Sequence, residues 1–255
     1  MLDRELAVVF DGSLEGFLCV VYAHYYDKIK PIDIQKEGEY QNTLCADEYY
    51  IPTDFDKAAR VQKGIRKKIS LQAEDYLSYA FLSEDESRYM SLFRYLLLGF
   101  KLGKSIDCHL QEDCVLAVHK LARYVGREAH LLTGFSRFAE TKQGIFYCSI
   151  APKNNVLRIL AEHFSDRMMN QAWVIHDKIR KQAAVYNGEY YAIGNVPDGA
   201  SFEYKDKELQ IQELWRTFFS SVSIKERENK KLQRNLLPLY FRKSMLEFIP
   251  PKKGK

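Results

Sequence analysis

Cysteine is scarce in this sequence, and its five residues, Cys19, Cys45, Cys108, Cys114 and Cys148, form no C-x-x-C pair and have no His-x-x-x-His nearby. An odd, scattered set argues against a disulfide framework and fits no common zinc module, and isolated thiols of this kind behave as small apolar side chains. No metal site and no cofactor are expected. Long hydrophobic runs are missing too: the apolar stretches 17–23 and 95–100 fall well short of the roughly 20 residues a membrane-spanning helix needs. The opening Asp3, Arg4 and Glu5 lack the basic segment and apolar core of a secretory signal, so a cytoplasmic protein without membrane contact is expected. There is no G-x-S-x-G elbow, no G-x-x-x-x-G-K-[ST] loop, no H-E-x-x-H and no zinc-deaminase signature. No repeat of solenoid period is present either.

With 46% hydrophobic and 28% charged residues, the chain has enough apolar side chains for one large or two modest domains. A net charge of +4 is too mild to imply nucleic acid by itself, but it is uneven. Residues 223–255 hold ten Lys or Arg against three Asp or Glu, a balance of +7 that leaves −3 for everything before. A basic end on a nearly neutral body suits phosphate, although such tails are commonly just solvated.

Residues 6–10 are a short apolar run followed by Asp11-Gly12-Ser13, after which Leu14, Phe17, Leu18, Val21, Tyr22 and Tyr25 recur at helical spacing: strand, turn, helix. Asp11 or Ser13 caps such a helix, and the same geometry suits a phosphate at its N-terminus. Residues 32–42 read as a loop and 43–51 as a strand. Helices are expected over 55–69, 72–82 and 86–102. Gly103-Lys104-Ser105 marks the expected division into regions 1–103 and 104–255. The clearest helix spans 112–132, with Cys114, Val118, Leu121, Ala122, Val125, Ala129 and Leu132 on one arc and His119, Arg123, Arg127 and His130 on another.

Beyond Gly134 the period changes. Residues 135–140 and 145–150 flank a four-residue loop, 155–168 form a helix, 172–177 a strand, and 181–186 with 189–193 a hairpin across Asn187-Gly188 of type I′. An amphipathic helix with Leu209, Ile211, Leu214, Trp215, Phe218, Phe219 and Val222 and a basic helical stretch close the chain. Unalternated strands and helices predict an α+β fold, with helices on a small antiparallel sheet in the C-terminal half and a strand plus helices in the N-terminal half.

Polar residues collect at the ends of the C-terminal elements: Arg137, Glu140, His163, Arg167, Trp173, Asp177 and Arg180. His163 and Arg167 are four apart and share a helix face. Arg forks match phosphate oxygens, and aromatics such as Phe135, Phe138, Tyr147 and Trp173 can stack on an unpaired base. The same residues equally suit a buried ion-pair network with an aromatic core. Glu140, His163 and Asp177 are the candidates for acid–base chemistry.

Ordered blocks, Phe10-Asp11-Gly12-Ser13-Leu14-Glu15-Gly16-Phe17, Arg127-Glu128-Ala129-His130, Gly134-Phe135-Ser136-Arg137-Phe138, His163-Phe164-Ser165-Asp166-Arg167, Trp173-Val174-Ile175-His176-Asp177 with Arg180, and Leu214-Trp215-Arg216-Thr217-Phe218-Phe219, resemble the bacterial "probable DNA metabolism protein" family. Two segments depart from its pattern: His176 stands where Tyr is usual, and residues 238–242 replace a Pro-x-Arg-Tyr-Trp-like stretch. The resemblance implies a partner, a radical S-adenosylmethionine protein proposed to modify or repair DNA, and a C-terminal domain of unknown function also found fused to uracil-DNA-glycosylase-like domains. The expected function is a DNA-binding accessory protein that holds phosphate or nucleotide through Arg123, Arg127, His130, Arg137, His163, Arg167 and Arg180 with Trp173 stacking. Its first half would serve as a platform for the radical enzyme. A nucleic-acid enzyme using Glu140, Asp177 or His163, and a protein adaptor without DNA contact, are the alternatives.

Overall fold

The computed structural model describes residues 6–38, 47–197 and 202–249. Its contacts divide the chain into two compact units, Met1–Gly126 and Arg127–Lys255.

The first unit is built on β1 (Leu6–Phe10), whose Ala7, Val8, Val9 and Phe10 are all buried. Ser13 caps α1 (Leu14–Tyr26) by accepting the Gly16 N–H at 2.9 Å, satisfying one of the helix's free donors. The chain then returns as β2 (Pro31–Lys36), parallel to β1, where the composition suggests a loop. The reason is that an edge strand needs little apolar surface: only Ile34 is buried, and β1 supplies the hydrogen-bonding partner. β3 (Asp47–Tyr50) pairs parallel on the other side of β1, giving the order β2-β1-β3; the earlier part of the expected 43–51 strand lies outside the described residues.

The three expected helices follow as α2 (Phe55–Gly64), α3 (Leu71–Phe81) and α4 (Arg88–Leu102), with Asp54 and Ser70 capping the first two. Between α2 and α3, residues Ile65–Ile69 form a π turn. The long helix α5 (Asp113–Phe135) completes the unit through Val115, Val118, Leu121 and Ala122, which join Phe10, Phe17 and Leu96 in one core.

In the second unit α5 runs on to Phe135, so the expected strand over 135–140 shrinks to β4 (Ala139–Glu140). β5 (Phe146–Ile150) completes the hairpin. The chain crosses over through α6 (Leu157–Arg167) to β6 (Trp173–Asp177), then turns into β7 (Gln182–Tyr186) and β8 (Tyr191–Asn195). The sheet order is β4-β5-β6-β7-β8, antiparallel except for β5–β6, which α6 makes parallel. The fold is therefore α+β. Leu157, Leu160, Ala161 and Phe164 of α6 bury one sheet face.

The β7–β8 connection is Asn187–Tyr190, longer than a two-residue type I′ turn. Only Gly188 takes a positive φ, +103°, while the Asn187 side chain accepts the N–H groups of Glu189 and Tyr190 at 3.0 Å. A side chain able to hold the turn from outside the backbone removes the need for a second left-handed residue. The last helices are α7 (Asp206–Ser221) and α8 (Lys230–Leu236). On α7 the apolar Leu209, Ile211, Leu214, Trp215 and Phe218 are exposed, as is Val222 just past its end, and Glu208 and Gln212 are buried. No helix among the described residues is long and apolar enough to cross a membrane.

Candidate nucleic-acid interface

The charged residues expected to share one pocket are instead distributed over separate ion pairs. Asp177 at the end of β6 is wholly buried; Oδ1 accepts the N–H groups of Ile179 and Arg180 at 2.9 and 3.3 Å, and Oδ2 faces Arg180 Nη1 at 2.9 Å. Arg180 donates onward to the carbonyls of Pro152 and Lys153 at 3.3 and 2.7 Å. From α5, Glu128 accepts the N–H groups of Lys153 and Asn154 at 2.8 and 2.9 Å, and the Tyr240 hydroxyl at 3.1 Å. The loop around residue 153 is thus clamped from both sides. Burial first, and the neighbouring Glu128 charge second, push the Tyr240 hydroxyl well above its ordinary range, so it stays a donor. This chain of bonds orders helix against sheet, and it employs both the carboxylate and the guanidinium that were candidates for ligand chemistry.

Arg137 belongs to a second pair. Its Nη2 lies 2.7 Å from Glu247 Oε1, its Nη1 donates to the Gly134 carbonyl at 2.9 Å, and its guanidinium stands 5.7 Å from the Trp215 ring centroid. Burial alone would raise the Glu247 carboxyl, but the hydrogen bond and charge of Arg137 hold it below its usual value. Glu140 forms a third pair with Lys205, and its N–H donates to Glu208 Oε2 at 3.2 Å.

Trp173 does not offer a face to a base: it is fully buried and stacked on Tyr186, its cross-strand partner, with ring centroids 5.3 Å apart. His163 is half-buried against Phe164, and its Nε2 has no partner among the described residues. Arg167 is exposed one turn further along α6. The unforeseen contact in this unit is His176, whose Nδ1 lies 2.9 Å from the Tyr147 hydroxyl. Burial raises that hydroxyl to about 12, and burial followed by the nearby Lys178 lowers the imidazole, so the tyrosine donates to a neutral ring.

The basic arc of α5 is largely preserved. His119 leaves it, stacking on Tyr76 and bonding Asp107 at 2.9 Å. Arg123, Arg127 and His130 remain exposed, four and three residues apart, and none pairs with a carboxylate among the described residues. Lys120 extends this exposed row.

A second cation-rich surface, absent from the sequence-based expectations, lies in the first unit. Arg60, Lys63, Lys67, Lys68 and Lys101 line a cleft with Tyr22, Tyr25, Tyr26 and Phe100. The visible signal was the dense cation run over residues 60–68, which could have been set against the tyrosines at helical spacing in α1.

No curated protein matches the chain. Among solved structures, a pGpG-specific phosphodiesterase from Vibrio cholerae is similar over 86% of this chain and 99% of its own, at 10% identity and a TM-score of 0.34, a likeness too slight to bear on function. The family defined by a domain of unknown function, DUF4130, matches residues 86–247, more than half the sequence, from just before α4 to the Glu247 that pairs with Arg137. The chain belongs to the DUF4130 family.

Proposed function

We propose that this protein is a nucleic-acid-binding accessory factor of DNA metabolism that acts beside a radical S-adenosylmethionine enzyme. The observation that carries the nucleic-acid half is the exposed row Arg123, Arg127 and His130 on α5, without a carboxylate partner among the described residues, whereas two of the other candidate guanidiniums, Arg137 and Arg180, are engaged in internal ion pairs and the third, Arg167, stands exposed on α6. A rigid helix that presents cations at one-turn intervals tracks a phosphate backbone without needing base contacts, so the binding mode is electrostatic and sequence-tolerant. Support for the partner comes from the ordered sequence blocks. Acid–base chemistry at Glu140 or Asp177 is disfavoured, because each carboxylate is held by a cation.

The test is DNA affinity across a salt series, with co-purification of the radical enzyme as the second arm. Each phosphate contact contributes about 0.9 to the slope of log affinity against log salt. Arg123→Ala with Arg127→Ala should therefore reduce the slope by about 1.8. Affinity that does not change with salt refutes the reading.

A further inference from the structure

The cleft of the first unit encloses about 720 Å³ between α1, α2, the π turn and the end of α4. Its chemistry is two-sided. One side is aromatic: Tyr22 and Tyr26, one helical turn apart on α1, stack with centroids 4.2 Å apart and planes at 16°, and Tyr25 meets Phe100 edge-on at 5.6 Å. The Arg60 guanidinium lies 5.6 and 5.5 Å from the Tyr22 and Tyr26 centroids, about equally far from both rings and so at the side of the stacked pair. Tyr26 is 59% exposed, which leaves much of the ring open to a ligand.

The other side is cationic. Arg60, Lys63, Lys67, Lys68 and Lys101 line the cleft, all are exposed, and no carboxylate lines it with them. Lysines in the last turn of a helix also complement its dipole, and this accounts for Lys63 and Lys101 singly. It does not account for five cations converging on exposed tyrosines.

The π turn is an independent pointer, since such turns are rare and recur at functional sites. Its widened backbone buries both Ile65 and Ile69 completely while Arg66, Lys67 and Lys68 all stay outside. Gly99 permits this, because a Cβ there would stand 2.7 Å from Ile69 Cδ1. Arg66 turns away to Glu74 at 2.5 Å, leaving Lys67 and Lys68 to the cleft.

We infer that this cleft is a binding site for single-stranded nucleic acid, with an unpaired base stacked on the exposed face of Tyr26 and flanking phosphates held by Lys63, Lys67, Lys68 and Lys101. The inference rests on the nucleic-acid reading above but names a separate site and a narrower substrate. Stacking needs an open base face, which a paired duplex does not present, whereas the α5 row reads phosphates of either form. A pocket for a small anion would not need the aromatic wall, and the carboxylates of an acidic peptide have no flat ring of their own to match it.

The experiment compares fluorescence anisotropy titrations of a labelled oligothymidylate and a blunt duplex of equal length against the full chain. Its variants are Tyr26→Ala, Lys67→Glu with Lys68→Glu, and Gly64→Leu. Gly64 is helical, and a Cβ there meets the Phe100 ring at an ordinary 3.5 Å, so leucine fills the cleft without straining the backbone. Each variant should weaken the single strand about tenfold or more while leaving duplex affinity unchanged. A 5-iodouracil-containing oligonucleotide should photocrosslink to Tyr25 or Tyr26. If the protein binds neither oligonucleotide, the general reading fails with this one. If it binds both and the cleft variants behave as wild type, only the cleft is refuted and the α5 row stands. Binding to anionic vesicles but not to oligothymidylate would overturn the inference in favour of a membrane surface. Thermal melts identify any variant that fails to fold, in which case the crosslink decides alone.

Discussion

Replacing Arg180 by alanine separates an ion-pair network from a ligand site. In the native protein the Asp177 carboxylate has no solvent access, and its cationic partner among the described residues is Arg180 at 2.9 Å, itself only 13% exposed. Removing one partner of a buried pair strands a charge in a medium that cannot solvate it, at a cost of about 3–5 kcal/mol. Two features set the expected value at the low end. Asp177 keeps the backbone donors of Ile179 and Arg180, and the freed carbonyl of Lys153 sits on an exposed residue where water replaces the lost donor. At roughly 2–4 °C per kcal/mol for a chain of this size, a loss near 3 kcal/mol lowers Tm by about 6–12 °C. The assay is thermal unfolding followed by circular dichroism, run beside Arg123→Ala, whose exposed side chain should change stability by no more than about 0.5 kcal/mol. The double variant Asp177→Asn with Arg180→Met should recover much of the loss, because it removes both charges together. An Arg180→Ala protein that melts with wild type but no longer binds DNA would refute the structural role and restore Arg180 to a ligand site.

Three further outcomes are expected. Glu247 has a folded pKa below its ordinary 4.5, so the stability it contributes is complete above that value and is lost as pH falls through the folded one. A pH series of melts should show an acid-side loss that Arg137→Met flattens, and an unchanged acid limb in that variant would count against the pair. Gly188→Val should destabilise by roughly 1–3 kcal/mol in a denaturant titration, because a β-branched residue is forced to φ +103°. The space around Gly188 is open, so a steric clash cannot be the cause, and a wild-type midpoint would show that the loop relaxes. The Arg123 and Arg127 double variant should lower the salt dependence of DNA binding while keeping wild-type Tm, and collapse of the fold would assign those residues to the core.

Periodicity alone determined most of the secondary structure. The 3.6-residue pattern of Val118, Leu121, Ala122, Val125, Ala129 and Leu132 marks the buried side of α5, and the same spacing leaves Arg123, Arg127 and His130 outside, where they are found. These are local properties of one helix, and a one-dimensional string carries them. It could not carry β2, whose polar composition reads as loop until β1 provides a pairing edge, nor the extension of α5 to Phe135 at the expense of a strand. Pairing partners decided the site as well. Arg137 looks the same in sequence whether it faces phosphate or Glu247, and the two residues are 110 positions apart. Trp173 reads as a stacking residue until the β6–β7 register sets Tyr186 across from it. The cleft of Tyr26, Arg60, Lys67 and Lys101 draws on four elements, each with an ordinary surface pattern of its own. Whether a charge or a ring is spent inside the protein or left for a ligand depends on what stands opposite it, and that is a property of the folded chain.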